Sequence, residues 1–297
     1  MSANATVSRY NAPMDPSPLI DASSLAQRLG DPAWVIVDCR FTLTDPTAGH
    51  AAYSRSHIPG ARYADLDRDL ARAPGPSDGR HPLPSRDIVA ALLGSWGIDS
   101  RSTVVAYDEG SGAVAARLWW MLRWLGHGES LVLDGGFAAW EAAQLPVEAD
   151  TPRWEATRYV AEAAADDAVV SSDEIPEFIA SGGLLVDVRA GARYRGEQEP
   201  IDPVAGHVPG AVNRPFSENV TATGRFRDAK QLRTELEALF AGRDPRDIVA
   251  MCGSGVTACH LLLAMAVAGL DNGRLYAGSW SEWIRDPRRP IQTGSLP

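Results

Sequence analysis

Residues 247–269 read "DIVAMCGSGVTACHLLLAMAVAG" and carry, in order, the signatures of a strand, a tight loop and a helix. "DIVAM" is a short β-branched apolar run, the composition of a strand buried on both faces of a parallel sheet. "TACHLLLAMAVAG" is apolar at helical spacing and ends on Gly269, a residue suited to stop a helix. Between them stand Cys252, Gly253, Ser254 and Gly255. Strands alternating with helices imply a mostly parallel sheet covered on both faces. In such sheets ligands gather beyond the C-terminal ends of strands, where Cys252 stands.

A cysteine kept for packing needs no glycines behind it, whereas a cysteine that meets a substrate does. Glycines allow positive φ and leave backbone N–H groups unshielded. Successive N–H groups aimed at one point form an anion nest, and the following helix adds the positive end of its dipole. Such a loop favours a thiolate at Cys252 and would hold a terminal sulfur anion on the same atom. Cys39 follows a strand run and Cys259 lies inside the apolar helix, and neither has a glycine cradle. Both read as buried, inert thiols, with Cys259 directed away from the loop.

Working outward, the chain repeats itself. "VIVDCR" (35–40) resembles "LLVDVR" (184–189), and "SHIPGA" (56–61) resembles "GHVPGA" (206–211). "TVVAYDEGSG" (103–112) resembles "DIVAMCGSG" (247–255), and "LVLDGGFAAW" (131–140) resembles "RLYAGSWSEW" (274–283). The pairs keep their order at an offset of roughly 145 residues, a plausible domain size. Two homologous domains follow. Residues 19–145 are the N-terminal domain, 146–169 the linker and 170–297 the C-terminal domain, with residues 1–18 a disordered leader. The first repeat puts Asp108 where the second puts Cys252. One domain therefore holds the nucleophile and the other is non-catalytic, and the site is expected between them. His57 and His207 occupy the same turn in both repeats and read as structural, since they cannot explain a site found in one.

Composition narrows the class. Of 297 residues, 45% are hydrophobic and 22% charged, a normal globular balance. The net charge of −10 argues against nucleic acid or an anionic membrane surface as partner. No apolar run approaches the ~18 residues of a membrane span, and the polar N-terminus lacks a signal-peptide core, so a cytoplasmic protein is expected. Three cysteines form no disulfide framework, and neither a CxxC pair nor zinc-ligand spacing occurs. No metal and no organic cofactor are expected.

The repeated segments, together with "YDEGSGAVAARLWWMLRWLGH" (107–127), "DVRAGARYRGEQEP" (187–200) and "CGSGVTA" (252–258), resemble the two-domain rhodanese-type sulfurtransferases. Within that group the chain is most similar to the 3-mercaptopyruvate sulfurtransferases. The resemblance implies two tandem rhodanese-like α/β domains. It also implies transfer of sulfur from a small-molecule donor to a thiol or cyanide through a persulfide on Cys252, by a protein expected to be monomeric. The active loop of this group starts at the cysteine, here Cys252 followed by Gly253, Ser254, Gly255, Val256 and Thr257. The thiosulfate-using branch has basic residues after the cysteine, whereas Gly253 and Ser254 are neutral and match the mercaptopyruvate pattern. The resemblance implies a carboxylate-binding arginine at Arg193, with Arg195 and Arg189 nearby. A second arginine usual before the "GHVPGA" motif is missing from residues 199–206. It further implies a histidine, His81 in "GRHPLPS", that works with Ser254 in acid–base chemistry. An aspartate partners that histidine, and the alignment selects Asp67 from Asp65, Asp67 and Asp69.

Other readings were weighed. A cysteine phosphatase needs an arginine six positions after the cysteine, and Ala258 stands there. A non-catalytic sulfur-binding module would have lost the nucleophile in both repeats. A redox sensor wants a resolving cysteine, and Cys259 is placed in a helix. A thiosulfate:cyanide sulfurtransferase of the same fold is the alternative enzyme.

Overall fold

The computed structural model describes residues 17–161 and 167–294. The expected leader falls, but for residues 17 and 18, outside the described residues. The first half runs β1 (Leu19–Ile20), α1 (Ala22–Ala26), β2 (Trp34–Asp38), α2 (Ala48–Arg55), β3 (Arg62–Tyr63), α3 (Arg86–Ser95), β4 (Thr103–Tyr107), α4 (Ala115–Trp124), β5 (Ser130–Leu133) and α5 (Gly136–Ala142). The second runs α6 (Ile175–Ala180), β6 (Leu184–Asp187), α7 (Gly191–Tyr194), β7 (Val212–Asn213), α8 (Ala229–Phe240), β8 (Ile248–Met251), α9 (Ala258–Val267), β9 (Arg274–Leu275) and α10 (Ser279–Trp283).

Each half builds a parallel sheet, in the orders β1-β5-β4-β2-β3 and β9-β8-β6-β7. The second order matches the last four strands of the first. A parallel bridge from Val169 to Leu275 takes the place of β1. The pairing registers repeat too: Asp38 lies beside Tyr107 and Asp187 beside Met251, each next to the residue preceding the site loop.

Alternation along the strands sorts their side chains into layers. Val35, Val37, Val104 and Ala106 face α3 and α4, while Leu184, Val186, Ile248 and Ala250 face α8 and α9, all in one continuous apolar core. Ile36, Val105 and Tyr107 point to an outer layer with α1, α2 and α5, and Leu185, Val249 and Met251 to another with α6, α7 and α10. Helices therefore cover both faces of each sheet, and the two domains share their central layer. This explains why α4 and α9 are apolar nearly all round: eight of ten residues of α4 and nine of ten of α9 are buried.

The shared "VD-x-R" motif is an internal brace. Arg40 pairs with Asp38 at 2.6 Å and donates to the Ser56 carbonyl, while Arg189 pairs with Asp187 at 2.6 Å and donates to the Gly206 carbonyl. Both braces fix the turn that carries His57 or His207. Those histidines stack on Tyr53 and Tyr194, with Nδ1 at 2.7 and 2.8 Å from the tyrosine carbonyls. They are fully buried.

The described part of the linker is a strap rather than an open tether. Thr157 N–H donates to the Gly94 carbonyl at 2.8 Å, Trp154 Nε1 donates to the Ser95 carbonyl, and Tyr159 is buried against His127. Two aromatic residues in an otherwise polar stretch carry enough apolar surface to hold it on the N-terminal domain.

Candidate active site

β8 ends at Met251 and the chain turns at Cys252, whose side chain is buried. Its Sγ accepts N–H from Ser254 at 3.4 Å and from Gly255 at 3.1 Å. Two N–H groups aimed at one sulfur are what an anionic sulfur needs. Gly255 has φ +79°, and a Cβ there would lie 2.2 Å from the Ala277 carbonyl oxygen, so only glycine fits. Gly253 lacks a positive φ, and guanidinium groups approach the space a side chain there would take. Val256 and Thr257 lead into α9, and their amides are not among the donors to Sγ.

The start of α10 grips this turn from the other side. Trp280 N–H donates to the Cys252 carbonyl at 3.0 Å and Ser281 N–H to the Gly253 carbonyl at 2.9 Å. Cys252 N–H donates to Ser279 Oγ at 3.0 Å. Ser279 holds φ 54°, in the left-handed region, where the equivalent residue of the first repeat, Gly136, holds φ 56°. The serine therefore accepts a backbone cost that a glycine avoids, and its hydroxyl receives the Cys252 amide.

The first repeat shows what this loop is built to hold. Asp108 fills the place that Cys252 has in the second repeat, and its carboxylate accepts N–H from Gly110, Gly112, Val114 and Ala115 at 2.8–3.2 Å. The Asp108 carboxyl group fills the nest in one domain, and the Cys252 side chain fills it in the other.

A histidine from the N-terminal domain reaches the loop. His81 Nδ1 lies 2.8 Å from Ser254 Oγ, and His81 Nε2 lies 3.1 Å from Asp67 Oδ1. Asp65 instead accepts N–H from Asp67 and Arg68, and Asp69 accepts from Asp65 N–H, so of the three acids Asp67 reaches the histidine. Burial pushes the His81 pKa down to about 4, and the Arg80 and Arg117 charges push the same way. The ring is neutral at pH 7. With Nε2–H directed at Asp67, the Nδ1 lone pair faces the Ser254 hydroxyl, an arrangement that can pass a proton either way.

Arg193 is the arginine of its segment that reaches the loop. Both its terminal nitrogens lie 3.6 Å from where a Cβ on Gly253 would stand. Arg189 is locked on Asp187, and Arg195 pairs with Glu197 at the surface. Arg193 is not an open cation: it pairs with Glu199 at 2.7 Å and Asp202 at 3.0 Å.

Three groups at the site escaped the sequence reading. Arg80 pairs with Asp202, a residue 122 positions away, and places Nη2 2.8 Å from the Gly253 Cβ position. Arg117 is fully buried in α4 and donates to three carbonyls, those of Leu70, Gly255 and His81 at 3.1–3.3 Å. It thus ties the cysteine loop to the histidine segment across the domain boundary. A charge in the first turn of a mostly apolar helix was its signal. Ser279 is the third.

One expectation is corrected. Cys259 does not face away from the loop: its Sγ lies 3.4 Å from the Gly255 carbonyl, directly beneath it. Gly255 belongs to the loop before α9 and Cys259 to the first turn of that helix, so the start of the helix brings the thiol against the loop carbonyl. Burial pushes its pKa up to about 12, against the opposing pull of Arg117, so it stays a thiol. Burial likewise raises Cys39 far above the ordinary thiol range.

Among the described residues no group of three or more His, Cys, Asp and Glu could hold a metal, and no helix is long and apolar enough to cross a membrane.

Residues 21–143 and 171–286 each match the rhodanese-like domain, and the chain belongs to the rhodanese family. It is a sulfurtransferase enzyme. A relative from Pseudomonas aeruginosa named "Probable 3-mercaptopyruvate sulfurtransferase" is 47% identical over 95% of this chain and 100% of its own length. One from Mycobacterium tuberculosis, whose name includes "thiosulfate sulfurtransferase SseB", is 36% identical over 93% of this chain and 97% of its own. The solved structure of 3-mercaptopyruvate sulfurtransferase from Leishmania major superposes with a TM-score of 0.78 at 31% identity, covering 93% of this chain and 77% of that one.

Proposed function

We propose that this enzyme takes sulfur from 3-mercaptopyruvate and passes it to a thiol or to cyanide through a persulfide on Cys252. The observation that carries the reading is the pairing of an amide-cradled Sγ with a Ser254–His81 contact of 2.8 Å from the other domain. The Cys252 thiolate attacks the sulfur of mercaptopyruvate and the C–S bond breaks. The electron pair leaves with the three-carbon fragment as pyruvate enolate. The proton of the donor's S–H group passes through Ser254 Oγ and His81 to the enolate carbon. Pyruvate and an anionic persulfide on Cys252 remain, with the Ser254 and Gly255 amides on the sulfur. An acceptor thiolate or cyanide then attacks the outer sulfur and returns the Cys252 thiolate.

The donor assignment rests on where the positive charge lies. The loop itself carries none, and the nearest guanidinium groups lie over Gly253 and are held by Asp202 and Glu199. That placement suits a donor whose carboxylate is several bonds from its sulfur better than thiosulfate, whose charge is on the neighbouring atoms. The M. tuberculosis relative makes thiosulfate the second donor to test. Steady-state rates with the two donors side by side decide the matter: kcat/KM should favour mercaptopyruvate, and equal or better turnover of thiosulfate would overturn the assignment.

A further inference from the structure

We infer that Arg80, supplied by the N-terminal domain, is a second carboxylate-binding residue of the donor site and a partner to Arg193. The inference rests on the donor assignment above. Three observations carry it. First, Arg80 Nη2 and the terminal nitrogens of Arg193 converge on one point, 2.8 and 3.6 Å from the Cβ position of Gly253. A side chain at 253 would crowd Arg80 and touch Arg193, so both guanidiniums approach the residue next to Cys252 on the side that glycine leaves open. Second, Arg80 Nε is buried and has no hydrogen-bond partner, although an unsatisfied buried N–H is costly. An N–H group left open beside an active loop is a donor waiting for an acceptor. Third, the rest of the residue is fixed. Its backbone N–H donates to Ser281 Oγ at 3.0 Å, and its Nη1 is held by Asp202, which also accepts from Arg193 Nη2 at 3.0 Å.

Asp202 thus bridges the two arginines from behind and turns their remaining N–H groups toward Gly253. Two planar forks sharing one orienting acid can take a carboxylate from two sides. The C-terminal segment 199–206 contains no arginine of its own, so the second positive group is contributed across the domain boundary. Arg80 precedes His81 in the chain, so one segment carries both donor anchor and proton carrier.

The test is ping-pong kinetics on the full-length protein with mercaptopyruvate as donor and 2-mercaptoethanol, a neutral thiol, as acceptor. Arg80→Gln should lower kcat/KM for mercaptopyruvate roughly 10- to 100-fold, the range of one lost charge-assisted contact. It should leave kcat/KM for the acceptor unchanged, because pyruvate has gone before the acceptor binds. Arg80→Lys should recover part of the loss. The double variant Arg80→Gln with Asp202→Asn removes the stranded acid as well, and the donor defect should persist in it. Equal loss in both half-reactions, or recovery in the double variant, would make Arg80 a structural ion-pair partner and overturn the inference. Unchanged donor kinetics in Arg80→Gln would overturn it while leaving the donor assignment standing. A wild-type protein inactive with mercaptopyruvate would overturn both.

Discussion

Arg193 is the residue where sequence and structure meet most closely. Its place in "GARYRG" implied a carboxylate ligand, and the fold brings it, not Arg189 or Arg195, to the cysteine loop. Arg193→Ala should raise KM for mercaptopyruvate more than it lowers kcat, since the carboxylate lies away from the breaking bond. A lost charge-assisted contact of ~1.5–3 kcal/mol corresponds to about 10–150-fold in kcat/KM. Asp202 and Glu199 would be left facing the incoming anion, which pushes the effect toward the upper end. A fall in kcat at constant KM would contradict the role. Cys252 was legible because a glycine loop after a buried strand has few other uses. Asp67 was picked out from Asp65 and Asp69 by the resemblance alone, because three acids within five residues share one composition and only the path of the loop to His81 separates them physically. Arg80 was invisible because its partner Asp202 lies in the other domain.

At the scale of the element, the loop between β8 and α9 explains its own glycines by two different requirements. Gly255 needs its positive φ and has backbone against it on the side where a Cβ would go. Gly255→Ala should therefore destabilise the protein by about 1–3 kcal/mol from backbone strain alone, with the steric overlap adding to it. It should also weaken the amide cradle, and chemical denaturation beside activity would check both. A stable, active Gly255→Ala protein would show that the loop is not constrained as described. Gly253 has ordinary backbone, and Arg80 and Arg193 approach the side where its Cβ would stand. An arginine installed at 253, as in the thiosulfate-using branch, would share its space with the like charges of Arg80 and Arg193. Strand, loop and helix were readable from the pattern of residues 247–269. The grip of α10 on the loop was not, since Ser279 in a left-handed conformation gives no sequence signal beyond the repeat.

The whole molecule is two repeats fused along one core, with α4 and α9 at the centre. The repeat announced the domains, but their fusion was written only in the near-uniform apolarity of those two helices. His260 in α9 crosses the seam: Nε2 lies 2.9 Å from the Ser111 carbonyl and the ring stacks on Phe226. Burial pushes its pKa down to about 4, as it does for His81. An unfolded histidine titrates near 6.5, so between about pH 6.5 and 4 the unfolded chain binds more protons than the folded one. Stability should be full above that window and fall as the pH drops through it, by up to about 3 kcal/mol for each histidine. His260→Gln keeps a side chain that can donate at this position and cannot titrate, so it should flatten the curve. Denaturation midpoints between pH 7.5 and 4.5 would check this, and a wild-type profile flat across the window would contradict it. Because the central layer is common to both halves, unfolding of the intact chain should occur in one transition.

The account turns on sulfur carried by Cys252. Peptide mass spectrometry after brief exposure to mercaptopyruvate, without acceptor, tests it directly. The account predicts about 32 Da, one sulfur atom, on the peptide bearing Cys252, with Cys39 and Cys259 unmodified and no gain in Cys252→Ser. Sulfur found on Cys39 or Cys259, or gained equally by Cys252→Ser, would contradict it.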